Sequence, residues 1–129
     1  MNKLKKSIIF DLDGTLWDTT AQVNIVWNKI AKKYNLQISS EKIKAIMGMT
    51  KEEIINFLFE GNIKLGNEFL LECQKAENIY LEENGGKIYI NTLKTLKILK
   101  KLGFDMYIVS NCQDGYIQSF LEYYKLENM

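Results

Sequence analysis

Hydrophobic positions along the chain fall into two kinds of pattern. Ser7 to Leu12 and Phe104 to Val109 are short, nearly continuous apolar runs, the reading expected of strands buried on both faces of a parallel sheet. Elsewhere apolar residues recur at helical spacing. Val23, Val26, Trp27, Ile30, Ala31 and Tyr34 predict a helix that Asp18 would cap. Ser40 to Met47 predicts a short second helix, and Thr50 with Glu53 forms a capping box ahead of Ile54, Ile55, Leu58 and Phe59. A fourth helix is predicted from about Asn67 to Glu83, stopped by Asn84, Gly85 and Gly86. Trp27, Phe57, Phe59, Phe69 and Tyr80 share this spacing and are expected to form the core of the helical block. Beyond Ile88, Asn91 or Thr92 would cap a helix carrying Leu93, Leu96, Leu99 and Leu102, which Gly103 closes. Ser110 to Gly115 reads as a turn, and Tyr116 to Tyr124 as a last helix. The fold class is therefore α/β, with residues 1–15 and 88–129 forming parallel strands with flanking helices and residues 16–87 an inserted all-helical block.

Charge narrows the chemistry. All 17 basic residues are lysines against 16 acids, a net charge of +1 that provides no field for nucleic acid or an anionic membrane. There is no histidine, so proton transfer falls to carboxylates or lysine, and oxygen ligands for a hard cation such as magnesium are favoured. Cys73 and Cys112 lack metal-ligand spacing and suggest a reducing, cytoplasmic setting. Lys3, Lys5 and Lys6 precede an apolar run that Asp11 ends far short of a signal sequence, and no stretch reaches membrane-spanning length.

The candidate chemistry lies where the strands end. In DLDGT, Asp11 and Asp13 would point to one side because side chains alternate along a strand. Two such carboxylates a few ångströms apart repel by roughly 4 kcal/mol at an effective dielectric of about 20, which a plain solvated turn would seldom choose. Ligands of open parallel sheets bind beyond the carboxyl ends of the strands, where Asp11, Asp13, Ser110 and Asn111 would meet if the two strands are neighbours. Gly14 permits a sharp turn, Thr15 offers a hydroxyl and an amide, and Ser110 adds a hydroxyl near amides that open a helix, a natural phosphate site. A carboxylate can attack phosphorus while its neighbour moves protons.

DLDGT after a short apolar strand resembles motif one of the haloacid dehalogenase superfamily, and IVSN at Ile108 to Asn111 resembles its motif two. The helical block resembles the cap of the phosphoglycolate phosphatase and β-phosphoglucomutase-like branch, and MGMTKEEI at Met47 to Ile54 its cap loop. The resemblance implies a partial Rossmann-like core with an inserted cap. It implies a magnesium-dependent phosphohydrolase acting on a small phosphorylated metabolite, with Asp11 as nucleophile and metal ligand. Asp13 would be the general acid and base, its carbonyl also binding metal, while Gly14, Thr15, Ser110 and Asn111 hold phosphate and Gly48 and Met49 form the cap's substrate loop. Asp13 argues for phosphate rather than carbon chemistry. A sugar-phosphate mutase and a non-catalytic phosphate-binding or regulatory module remain the alternatives.

The family's later lysine and acidic motifs have no counterpart in the 18 residues after Asn111, since Lys125 and Glu127 fall too early. The expectation is the N-terminal part of a longer protein, a split protein or a truncation. Its bare sheet edge would be covered by a missing half or a second chain, and it would hydrolyse phosphomonoesters little by itself.

Overall fold

The computed structural model describes residues 4–129; Lys3 of the basic start lies outside them. β1 (Ser7–Phe10) runs parallel to β4 (Asp105–Ile108), with Ser7 opposite Asp105 and Phe10 opposite Ile108. Their pairing continues one step further, where the Val109 amide donates to the Phe10 carbonyl at 3.0 Å. Asp11 and Ser110 therefore leave the sheet side by side.

Between the strands stand β2 (Trp17–Asp18), α1 (Thr20–Ala31), α2 (Ser40–Ile46), α3 (Lys51–Phe59), α4 (Ile63–Asn84), β3 (Lys87–Ile88) and α5 (Thr92–Lys101). α6 (Tyr116–Tyr123) follows β4. The β2–β3 antiparallel pair, with Trp17 opposite Ile88, has no counterpart in the apolar pattern because two residues are too few to show a period. It ties the chain where the helical block departs to where it returns.

Helix boundaries follow local chemistry. Thr50 and Glu53 form the expected capping box, the Glu53 side chain accepting the Thr50 amide at 2.7 Å. α4 begins at Ile63 rather than near Asn67, because Asn62 caps it by accepting the Leu65 amide. Thr19 holds the N-cap position of α1, yet Asp18 accepts the Thr20 amide at 2.9 Å and so serves the same orphan donor from one residue earlier.

Two hydrophobic clusters form. One, from α1 to α4, contains Val23, Trp27, Ile30, Ile43, Ile55, Phe69 and Cys73, with edge-to-face contacts joining Trp27, Phe69 and Tyr34. The other joins Leu12, Leu16, Trp17, Leu96, Tyr116, Phe120 and Leu126, and α4 reaches it through Leu81. Phe57 departs from the expected aromatic core and lies exposed, with Lys42 near its ring. Leu102 is likewise exposed, since α5 turns only Leu96 fully inward.

The strands also depart from expectation. Phe10, Met106 and Ile108 pack against the cluster that holds Leu96 and Phe120, whereas Ile9, Tyr107 and Val109 are 69%, 54% and 63% exposed. Burial on both faces would need a further layer against this second face, and none is present among the described residues. No helix among these residues is long and apolar enough to cross a membrane.

Candidate active site

The loop after β1 closes on itself. Leu12 is fully buried, and its carbonyl accepts the amides of Thr15 and Leu16 at 3.2 and 2.9 Å, while the Gly14 amide donates to the Trp17 carbonyl at 2.9 Å. Gly14 adopts φ 75° in open surroundings, so it answers the loop's backbone conformation rather than a crowded neighbour. With Leu12 anchored inward, Asp11 and Asp13 both reach a cavity of about 610 Å³.

Ser110, Asn111, Cys112 and Gln113 from the loop after β4 line the same cavity, as do Gly48 and Met49 between α2 and α3. Gly14 and Thr15 do not line it, and their amides are consumed by the loop's internal bonds. The tight turn that positions the two aspartates thus engages the Gly14 and Thr15 amides that were expected to meet phosphate.

Asp11 is exposed and accepts the Leu12 amide at 2.7 Å. Asp13 is held more firmly: Tyr116 Oη donates to its Oδ1 at 2.6 Å and Trp17 Nε1 to the same oxygen at 3.0 Å. The Tyr116 hydroxyl also pairs with the buried Thr19 hydroxyl at 3.0 Å. Burial raises the Asp13 pKa, the two hydrogen bonds oppose that rise, and the charges of Asp11 and Asp18 add to it. A carboxyl that keeps its proton closer to neutrality is suited to protonating a leaving oxygen. Asp18 is shifted the other way by its bonds from Thr20. The Cys112 thiol is pushed up by burial, which fits a filler and not a nucleophile.

Beyond these residues the cavity is walled by α4. Glu77 is 7% exposed, and its Oε2 accepts Trp27 Nε1 at 2.9 Å. Burial pushes its pKa up to about 7, with bonds from Trp27 and Gln113 opposing and the charge of Asp13 adding. Next to it Asn78 fastens α4 to the loop after β4, donating to the Asp114 carbonyl at 2.8 Å and accepting Gln113 Nε2 at 3.0 Å.

A profile of haloacid dehalogenase-like hydrolases matches residues 8–129. The chain belongs to that family. It is 27% identical over 138 residues to a phosphoglycolate phosphatase of Haemophilus influenzae, covering all of this chain and 62% of that protein. It is 28% identical over 105 residues to the pyrophosphatase PpaX of Oceanobacillus iheyensis, covering 81% of this chain and 47% of that one. Among solved structures, a family IA, variant 3 hydrolase from Entamoeba histolytica superposes with a TM-score of 0.77 at 22% identity, over 95% of this chain and 56% of its own. The chain thus spans about half the length of the relatives it matches. The α/β core with a helical insertion is that of the haloacid dehalogenase-like fold.

Three residues of this site escape the sequence motifs. Tyr116 and Trp17 bind Asp13 through contacts that only the folded chain creates, across 103 and 4 positions. Glu77 left a trace, since Phe69, Cys73, Glu77 and Leu81 repeat every four residues and a lone carboxylate occupies an otherwise apolar seam.

Proposed function

We propose that this chain carries the phosphoryl-transfer centre of a haloacid dehalogenase-type phosphohydrolase for a small phosphorylated metabolite, with residues 16–87 acting as its cap. One observation carries the reading: Asp11, Asp13, Ser110 and Asn111 line one cavity beyond the carboxyl ends of two adjacent parallel strands. In the first step an Asp11 carboxylate oxygen attacks phosphorus, and the ester oxygen leaves with the proton of Asp13. In the second, Asp13 takes a proton from water as its oxygen displaces Asp11 from phosphorus, giving inorganic phosphate and restoring both aspartates. The bonds from Tyr116 and Trp17 to Oδ1 fix the Asp13 carboxyl through both steps. Ser110 and Asn111 hold the transferring group, and Gly48 and Met49 meet the rest of the substrate.

The donor set suits magnesium in kind: oxygen only, without histidine. No group of three or more acidic, cysteine or histidine side chains among the described residues is placed to hold a metal ion, so the Asp11 carboxylate and the Asp13 carbonyl would supply only part of a shell that waters complete. When bound, the ion offsets phosphate charge.

The test is hydrolysis of p-nitrophenyl phosphate with magnesium by the chain alone, by the chain joined to the C-terminal half of a relative, and by the Asp11→Asn form of each. We expect little turnover by the chain alone, clear turnover by the joined protein, and a loss of about a thousandfold or more with Asp11→Asn. Activity that survives Asp11→Asn would overturn the assignment.

A further inference from the structure

The α4 wall of the cavity is unusual in its charge. Glu77 brings a carboxylate into a nearly closed setting, where Trp27 Nε1 donates to it at 2.9 Å and Gln113 supplies a second bond. No lysine is among the groups that shift its protonation, and the one charge that does, Asp13, is of like sign. Gln74 lies one turn away on the same helix, and Thr50 and Lys51 close the cavity from the head of α3. A volume of about 610 Å³ exceeds what a phosphoryl group needs, so it also holds the organic part of a substrate.

From this arrangement we infer that Glu77 determines specificity by contacting the organic part of the substrate, and that this part carries hydroxyl groups, as in a polyol phosphate, rather than a carboxylate. The inference rests on the phosphate site proposed above. A hydroxyl meets Glu77 in either protonation state, donating to the carboxylate or accepting from the carboxyl. A substrate carboxylate is tolerated only when Glu77 holds an extra proton, and otherwise adds a like charge in a poorly hydrated space. Phosphoglycolate, named for the Haemophilus relative, is therefore expected to be a poor ligand here. Lys51 lines the same cavity from the head of α3, whereas Glu77 and Gln74 belong to α4.

The experiment uses the chain as it stands, with magnesium, and follows amide resonances of Ser110 to Gln113 during titration with inorganic phosphate, glycerol 3-phosphate and phosphoglycolate. Glycerol 3-phosphate should bind about tenfold or more tightly than phosphoglycolate, a difference of about 1.4 kcal/mol. Glu77→Gln keeps an oxygen for Trp27 and should shrink that preference below about threefold, with inorganic phosphate titrated alongside as the reference for any change common to all three ligands. A purely structural role for Glu77 would move all three ligands together. Equal binding of the two esters by the unaltered protein, or a preference that survives Glu77→Gln, overturns the inference and leaves the phosphate site standing. Absence of inorganic phosphate binding at these residues overturns the phosphate site and the inference with it.

Discussion

Glu77→Gln should stabilise the folded chain at pH 8 and change it little more at pH 4 than a fixed offset. The carboxyl sits at 7% exposure with a pKa near 7, against an ordinary value of 4.5. A group raised on folding costs nothing extra while it is protonated in both states, below about pH 4.5. As pH climbs through the folded value, the unfolded chain has already shed its proton and the folded one resists, so stability is lost across the window from about 4.5 to 7. About 2.5 pKa units at about 1.36 kcal/mol each amounts to about 3 kcal/mol. Glutamine cannot ionise and still accepts Trp27 Nε1, so the difference between variant and parent reads this carboxyl together with its coupling to Asp13. Urea unfolding of both proteins at half-unit steps from pH 4 to 8 would show the variant gaining on the parent as pH rises, then levelling. A difference that stays flat, or runs in the opposite sense, would refute the claim that burial holds this carboxyl protonated.

Three further changes test the packing. Tyr116→Phe removes the hydroxyl shared by Asp13 and Thr19 and should cost about 1–3 kcal/mol in urea unfolding at pH 7; no loss would mean the hydroxyl is not engaged. Gly66→Ala places a Cβ 2.6 Å from Ile55 Cγ1 and should destabilise by about 1–3 kcal/mol despite alanine's better helix propensity, and a double-mutant cycle with Ile55→Ala, which removes both clashing Cγ atoms, should show the two losses to be less than additive. Thr50→Ala opens the capping box and should cost about 1 kcal/mol, read as a lower urea midpoint with an unchanged slope.

Local chemistry made the frame legible. The two apolar runs, the Thr50–Glu53 box and the glycine stop after α4 need only near neighbours, and each stands where its residues put it. That Asp11, Asp13 and Ser110 would come together was readable because adjacent strand ends bring them to one cavity. What depends on distant partners was not. The exposure of Ile9 and Tyr107 follows from which layers cover the sheet, a fact no strand carries within itself. Thr15 advertises an amide that Leu12 then takes, and Asp13 acquires Tyr116 through a contact across 103 positions. Glu77 shows in the sequence only as a lone acid in the apolar seam of α4, and what its burial does depends on Trp27, 50 positions away.

α4 runs unbroken for 22 residues, about 33 Å, with Phe69 and Cys73 in one hydrophobic cluster and Leu81 in the other. Such a helix acts as a ruler that cannot be lengthened in the middle. Inserting one residue between Cys73 and Leu81 would turn everything beyond it by about 100° and advance it by about 1.5 Å, tearing Asn78 from the loop after β4 or Leu81 from its cluster. Diversification of this wall is therefore confined to exchanging side chains in place. The stretch from Met47 to Lys51, free of any such double anchorage, can also change length.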